Sequence, residues 1–122
     1  MKTDTSSLSP LEHSVVDNLA TFLSPDELKK LLNCYLRDSQ KIITQLDNAL
    51  TEQNIGEATR LVHSLKSTSA NVGAIPLSEL AKLLETLARE EKLDDIRAQV
   101  DELNQLFNQT QISIEQLDFM QT

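Results

Sequence analysis

The sequence has few of the residues that interrupt helices or build sheets. Its 122 residues include two glycines, three prolines, no tryptophan and 3% aromatics. Two glycines cannot form a glycine-rich nucleotide loop, and so few turn residues disfavour an all-β fold. The single cysteine, Cys34, excludes an internal disulfide and a zinc-finger framework, and we interpret it as a buried small hydrophobic residue. His13, Cys34 and His63 lack metal-ligand spacing, so we expect no metal site.

Positive charge is also scarce. Nineteen acidic residues against eleven lysines and arginines give a net charge of −8. Such a chain repels nucleic acid and anionic lipid, and we expect neither as a partner. No apolar run approaches the ~20 residues of a membrane span, and residues 1–10 lack the apolar core of a signal peptide. We therefore expect a soluble, cytoplasmic protein without membrane insertion.

Helix start signals are frequent. Ser9-Pro10 and Ser24-Pro25 each place serine at an N-cap, proline at the first helical position and glutamate at the third. Asn54 caps a third helix in the same way. These signals predict helices over about 10–22, 25–51 and 55–72, the last of which ends at Gly73 in the left-handed conformation. Pro76 opens a fourth helix, which we expect to run to about Glu91.

Beyond Leu93 an apolar stripe with three- and four-residue spacing predicts one continuous helix. The stripe consists of Ile96, Val100, Leu103, Phe107, Ile114 and Leu117, with Thr110 in the one gap. Four long amphipathic helices with short connections predict an all-α, antiparallel, up-and-down four-helix bundle with a short additional N-terminal helix. We expect residues 9–122 to form this single domain and residues 1–8 to be a flexible tail.

His63 lies on the polar side of the third helix. At ~100° per residue, Leu61, Leu65 and Val72 fall opposite the imidazole, so the ring is predicted to be exposed. Arg60 and Lys66, three residues to either side, form a positive island that suits an anion at His63. The same face carries small residues, Gly56, Ser67 and Ala70. These features indicate an accessible nucleophile, with an ordinary solvated histidine as the alternative.

The segment Val62–Ala74 resembles the signature of histidine-containing phosphotransfer (HPt) domains, roughly His-x-Leu-Lys-Gly-x-Ser, three residues, then Gly-Ala. The stretch Leu80–Glu85 is similar to the family's leucine pattern on the next helix, and helix number and order also agree. Ser67 departs from the pattern, because it stands where the family most often has glycine. The resemblance implies a phosphoryl carrier in a His-Asp phosphorelay, not an enzyme, with His63 as phosphoryl acceptor and donor.

The resemblance also implies roles for neighbouring side chains. Lys66 would neutralise phosphoryl charge, and Glu85 would orient the imidazole through Nδ1; a solvated lysine and a solvated glutamate are the alternatives. Ser69 and Gly73 would be structural, through interhelical packing or hydrogen bonding and helix capping respectively. The candidates for contact with a partner or with phosphate are Arg60, Ser67, Ala70 and Arg89.

The implied partners are receiver domains of response regulators or a hybrid sensor histidine kinase. The receiver would supply Mg²⁺, and this chain itself would bind no cofactor. Family members dock receivers through an apolar patch near the active helix, for which the candidates are Val15, Val16, Leu19 and Phe22, unless these residues only cover the core. We expect a monomer, since four long helices can close a bundle within one chain.

Two alternatives to the relay remain. The first is a non-catalytic helical-bundle module that binds partner proteins and carries an incidental surface histidine. The second is the dimerisation hairpin of a histidine kinase, in which an acidic residue and then a proline follow the histidine. Here Ser64 follows His63, and the next proline is Pro76, which disfavours the hairpin.

Overall fold

Every regular element that the structure, a computed structural model, describes between residues 9 and 121 is helical. The predicted tail, residues 1–8, lies outside the described residues, as does residue 122. A short 3₁₀ helix, Asp118–Gln121, follows the last α-helix. The α-helices, numbered in chain order, are α1 His13–Leu19, α2 Pro25–Thr51, α3 Ile55–Val72, α4 Ile75–Arg89, α5 Leu93–Ala98 and α6 Val100–Glu115.

The core lies between α2, α3, α4 and α6, which form the predicted antiparallel bundle. Each of these helices contributes a leucine that is at most 1% exposed: Leu32, Leu61, Leu84 and Leu103. Burying such a side chain stabilises the fold by roughly 1.5–3 kcal/mol relative to leaving it in water. Helix α3 packs against both α2 and α4, and α1 lies against α3. The all-helical bundle predicted from the sequence is confirmed.

The predicted starts of α2 and α3 are confirmed. Ser24 Oγ accepts a hydrogen bond from the Glu27 amide at 3.1 Å, and Glu27 Oε1 accepts one from the Ser24 amide at 2.8 Å. Asn54 Oδ1 likewise accepts from the Glu57 amide at 3.1 Å. The Glu57 carboxylate does not complete the reciprocal bond, since the Asn54 amide donates to the Ala49 carbonyl at 2.8 Å and the carboxylate binds Arg60. Each cap satisfies an amide that the helix leaves unpaired and contributes about 1 kcal/mol.

The predicted start of α1 at Ser9-Pro10 is wrong. The Ser9 hydroxyl bonds to the amide and carbonyl of Leu11 instead of capping a helix. Leu11 is fully buried, and the Glu12 amide donates to the Gly73 carbonyl at 2.7 Å. These tertiary contacts hold the chain outside helical geometry, so α1 begins at His13 and ends at Leu19, three residues before the predicted end.

The predicted continuous last helix is also wrong, since Gln99 divides it into α5 and α6. Gln99 has φ −98° and ψ −2°, and its amide donates to the Ile96 carbonyl, a tighter bond than the α-helix makes. The apolar stripe nevertheless continues across the break, with Ile96 and Leu103 both fully buried. Thr110 is buried as well, and its hydroxyl donates to the Leu106 carbonyl at 2.8 Å.

Two smaller predictions need correction. Helix α4 ends at Arg89 instead of Glu91, because Glu91 adopts a positive φ of 61°. Cys34 is exposed instead of buried. The reason is its position on α2, about 200° around the helix from the buried Leu32. The predicted end of α3 is confirmed, since Gly73 is left-handed with φ 88°.

Candidate functional site

The His63 ring projects outward from the middle of α3. Its side chain is 56% exposed, whereas Leu61 and Leu65 on the opposite face are at most 1% exposed. The predicted outward direction of the ring is therefore confirmed. Ser67 and Ala70, which share its face of α3, are exposed too, so the imidazole has small side chains on the same face.

Glu85 on α4 lies beneath the imidazole and binds three groups. Its side chain is 8% exposed, and its Oε2 lies 2.9 Å from His63 Nδ1. Lys66 Nζ donates to Oε1 at 2.6 Å. Arg89 Nη2 donates to Oε2, also at 2.6 Å. The site thus combines one buried carboxylate with two cations and one imidazole, which excludes the solvated-glutamate alternative for Glu85.

The charge state of Glu85 determines which ring nitrogen is free. Hydrogen bonds from Lys66 and Arg89 lower the pKa of Glu85 from 4.5 to about 2, against the opposing effect of burial and with a smaller contribution from His63. At neutral pH the carboxylate can therefore only accept hydrogen bonds. His63 Nδ1 must then carry a hydrogen and donate the 2.9 Å hydrogen bond to Glu85 Oε2. In the neutral imidazole this leaves the lone pair on Nε2.

Comparison with known proteins identifies the family. The model of the Hpt domain matches residues 30–113, which include both His63 and Glu85. The chain belongs to the Hpt domain family. It therefore takes part in histidine phosphotransfer in a two-component phosphorelay.

A curated relative and a solved structure resemble this Hpt domain over most of its length. Phosphorelay protein LuxU from Vibrio cholerae serotype O1 is 26% identical over 100 residues, which cover 82% of this chain and 88% of LuxU. The crystal structure of histidine-containing phosphotransfer protein B (HptB) from Pseudomonas aeruginosa PAO1 superposes with a TM-score of 0.87 at 26% identity. That comparison covers 94% of this chain and 98% of HptB.

The cations of the Hpt site are not arranged as the sequence predicts. Arg60 turns away from His63 and binds Glu57 through Nε at 2.9 Å and Nη2 at 2.7 Å. This contact lowers the pKa of Glu57 and raises that of Arg60. Lys66 lies beside His63 but is already bound to Glu85. The predicted positive island of Arg60 and Lys66 is thus replaced by Lys66 and Arg89, which share one carboxylate.

The contact between Arg89 and Glu85 was not predicted from the sequence. Arg89 was predicted only as a candidate contact with a partner or with phosphate, and that role is still a prediction. The signal for the contact was available, because Glu85 and Arg89 are four residues apart on α4, the spacing at which side chains meet on one face of a helix.

Buried hydrogen bonds fix α3 in register with its neighbours in the Hpt domain. Tyr35 Oη on α2 and Ser69 Oγ lie 2.7 Å apart in the core, the interhelical hydrogen bond predicted as one role of Ser69. On the other side, Ser78 Oγ on α4 donates to the Lys66 carbonyl at 2.8 Å. These bonds join α3 to α2 and to α4, and so help to place Glu85 under His63.

Only one of the four predicted docking residues of the Hpt domain is well exposed. Val16 is buried in the core and the half-buried Leu19 packs against it, while Val15 is half-buried beside Gly73. Phe22 is 79% exposed.

Within residues 9–121, no group of three or more His, Cys, Asp and Glu side chains is placed to hold a metal ion. No helix in that range is long and apolar enough to span a membrane.

Proposed function

We propose that His63 Nε2 is the atom of this Hpt domain that accepts and donates the phosphoryl group. The observation that carries this assignment is the bond between Nδ1 and the buried Glu85 carboxylate, at 2.9 Å. It assigns the proton to Nδ1 and leaves the Nε2 lone pair on a ring that is 56% exposed. A partner protein can approach this nitrogen across the small side chains of Ser67 and Ala70.

The transfer step follows from this tautomer. The Nε2 lone pair attacks the phosphorus of an aspartyl phosphate on a receiver domain. The N–P bond forms as the P–O bond to the aspartate breaks, and the aspartate leaves as a carboxylate. The ring becomes positively charged, and Glu85, already ionised, stabilises this charge through Nδ1–H. The reverse step delivers the phosphoryl group to the aspartate of another receiver.

Lys66 is the side chain best placed to neutralise the phosphoryl oxygens. It lies one helical turn from His63, and its ammonium group uses one of three hydrogens on Glu85 Oε1. The others are available to a phosphoryl oxygen, and the side chain is 30% exposed. Arg89, which is 62% exposed, is a second candidate for contact with phosphate or partner, and Arg60 is a third.

The partners in this proposal are receiver domains of response regulators or of a hybrid sensor histidine kinase. The receiver supplies Mg²⁺ and the acidic pocket, while this chain acts as a monomeric carrier without catalytic machinery of its own. The exposed aromatic ring of Phe22 is the candidate anchor for docking. Cytoplasmic location is part of the same proposal, since receivers act there.

Phosphotransfer from a labelled receiver tests the assignment. The wild-type chain, incubated with phosphorylated receiver and Mg²⁺, should acquire label in an acid-labile, base-stable form. His63→Gln should abolish the labelling without changing the circular dichroism spectrum. His13→Gln, which alters the exposed histidine of α1, should be labelled like wild type. Label on the His63→Gln variant would contradict the assignment, and no label on any of the chains would favour an interaction module.

A further inference from the structure

A groove of about 1380 Å³ runs between α4 and α6, with the segment before α1 at one end. Apolar side chains line it from both helices, among them Ile75 and Leu80 from α4 and Leu106 and Ile112 from α6. Ile75 is 37% exposed and Ile112 is 54% exposed, so its apolar lining is open to solvent.

The apolar surface continues past the groove along α4. Leu83, one turn beyond Glu79 and Leu80, is 45% exposed. Ile75, Leu83 and Ile112 are thus three of the five large hydrophobic side chains that residues 9–121 leave exposed. Isolated exposed hydrophobic residues are ordinary on a protein surface, but their concentration on one face is typical of an interaction site.

Among residues 9–121, the charged side chains that line the groove are all acidic. They are Glu12, Glu79 and Glu102, and no lysine or arginine of this part of the chain lines it. Glu79 and Glu102 form no hydrogen bond or ion pair with any side chain between residues 9 and 121. A second copy of this chain carries a net charge of −8, so the acidic side chains around the groove would repel it.

We propose that the groove between α4 and α6 binds a basic amphipathic helix of a partner protein. The apolar side of that helix would cover Ile75, Leu80 and Ile112, and its lysine or arginine side chains would reach Glu79 and Glu102. This is the helix-in-groove form of recognition, in which apolar contacts supply affinity and charge supplies orientation.

The occupied groove leaves the phosphotransfer site open. Glu85 and Ser78 face α3, where they bind His63 and Lys66. Leu80 lies ~140° around α4 from Glu85, on the flank that faces α6. A receiver at His63 and a basic helix in the groove can therefore bind to opposite sides of α4 at the same time, which would tether the carrier without blocking transfer.

Binding of a synthetic helix to the full chain tests this proposal. The probe is a peptide of about 18 residues with leucines on one face and lysines on the other, and its counterpart has glutamates in place of the lysines. The lysine peptide should bind in about 0.15 M salt, measured by fluorescence anisotropy, and the glutamate peptide should not. Backbone amide chemical shifts should change along residues 75–83 and 102–113 and not around Phe22.

Charge-reversal variants provide the matched control. Glu79→Lys with Glu102→Lys should weaken binding of the lysine peptide at least about tenfold. Asp38→Lys with Asp47→Lys, two exposed positions on α2 outside the groove, changes the net charge equally and should weaken it less than about twofold. We call Glu79→Lys with Glu102→Lys the groove variant. Phosphoryl transfer to His63 should proceed at the wild-type rate in the groove variant, and also in the wild-type chain with saturating lysine peptide.

Several outcomes would overturn the proposal. The first is that the lysine peptide does not bind the wild-type chain. The second is that both charge-reversal variants lose affinity for the peptide equally. The third is that the backbone amide chemical shifts change mainly around α1. Sedimentation of the wild-type chain as a dimer that the groove variant abolishes would make a second copy the occupant instead. None of these results depends on phosphorylation of His63, so failure here and failure of the phosphotransfer assignment are distinguishable.

Discussion

Glu85 Oε2 lies 2.9 Å from His63 Nδ1, and the same oxygen accepts a hydrogen bond from Arg89 at 2.6 Å. His63 lies on α3 and Glu85 lies on α4, two consecutive antiparallel helices joined by the turn at Gly73. The packing of this helical hairpin therefore decides which imidazole nitrogen is presented to a partner. A carboxylate with its pKa lowered to about 2 keeps this role throughout the physiological pH range.

Replacing Glu85 should slow phosphotransfer in an order set by the chemistry of the substitute. Glu85→Ala removes the acceptor for Nδ1–H and should slow transfer about 10–100-fold, as loss of an orienting partner commonly does. Glu85→Gln keeps an acceptor oxygen but loses the charge, and should lose less activity than Glu85→Ala. Single-turnover transfer from a phosphorylated receiver measures both rates, with Glu79→Gln on the same helix as control. Equal rates for Glu85→Ala and wild type would contradict an orienting role.

Replacing Lys66 should slow transfer without unfolding the chain. Lys66→Ala removes one of the two cations bound to Glu85, and with it one of the three hydrogen bonds to that carboxylate. A charge-assisted bond of this kind is worth roughly 1.5–3 kcal/mol, which corresponds to about a tenfold or larger loss of rate if it acts in the transition state. Lys82→Ala, an exposed lysine elsewhere on α4, is the matched control. If both variants transfer at the wild-type rate, Lys66 has no role in the step.

The acid range should reveal the stabilising contribution of Glu85. Its pKa is about 2 in the folded chain and 4.5 as the ordinary value, so as pH falls the unfolded chain takes up the proton first. The contribution is therefore fully present above about pH 4.5 and is lost as pH falls toward about 2. Urea unfolding should show a difference in free energy between wild type and Glu85→Gln that narrows from about pH 6 to about pH 2.5. A constant difference would contradict the lowered pKa.

Capping motifs in the sequence correctly predicted a helix end where the bonds that form that end join residues close together in the chain. The Ser24 box and the Asn54 cap need only residues within four positions, and both formed. The Ser9 signal is chemically the same, yet the distant Gly73 carbonyl captures the Glu12 amide and prevents it from acting. The break at Gln99 had no glycine or proline to announce it, and the apolar spacing from Ile96 to Leu103 is the same with or without it.

The features of the site were also predictable only where they depend on residues close together in the sequence. The outward direction of His63 follows from the period of one helix and needs no knowledge of packing. The pairing of His63 with Glu85 joins residues on two helices, and only family resemblance suggested it before the structure. Arg60 was predicted beside His63 from spacing alone, but Glu57, at the same three-residue distance on the other side, binds it instead.

Three helices of the bundle end with the same pair of backbone hydrogen bonds. After α3, the Gly73 amide donates to the Ala70 carbonyl and the Ala74 amide to the Ser69 carbonyl. Equivalent bonds follow α2 and α4, where Gln53 and Glu91 occupy the left-handed position with φ of 55° and 61°. This is the Schellman motif, which prefers glycine at that position because a side chain there is strained.

Glycine at Gln53 should therefore stabilise the fold, and alanine at Gly73 should destabilise it. Gln53→Gly removes left-handed strain of ~1–2 kcal/mol but makes the unfolded chain more flexible, so we expect a net gain of about 0.5–1 kcal/mol in the free energy of unfolding. Gly73→Ala should lose more than about 1 kcal/mol. Its new Cβ would lie 2.8 Å from the Glu12 carbonyl oxygen and 2.9 Å from Val15 Cβ. Urea unfolding measures the change in the free energy of unfolding for each variant. Gln53→Ala is the control, because alanine retains the left-handed strain. A similar gain for Gln53→Ala would mean that loss of the glutamine side chain, not relief of the left-handed backbone, stabilises the chain.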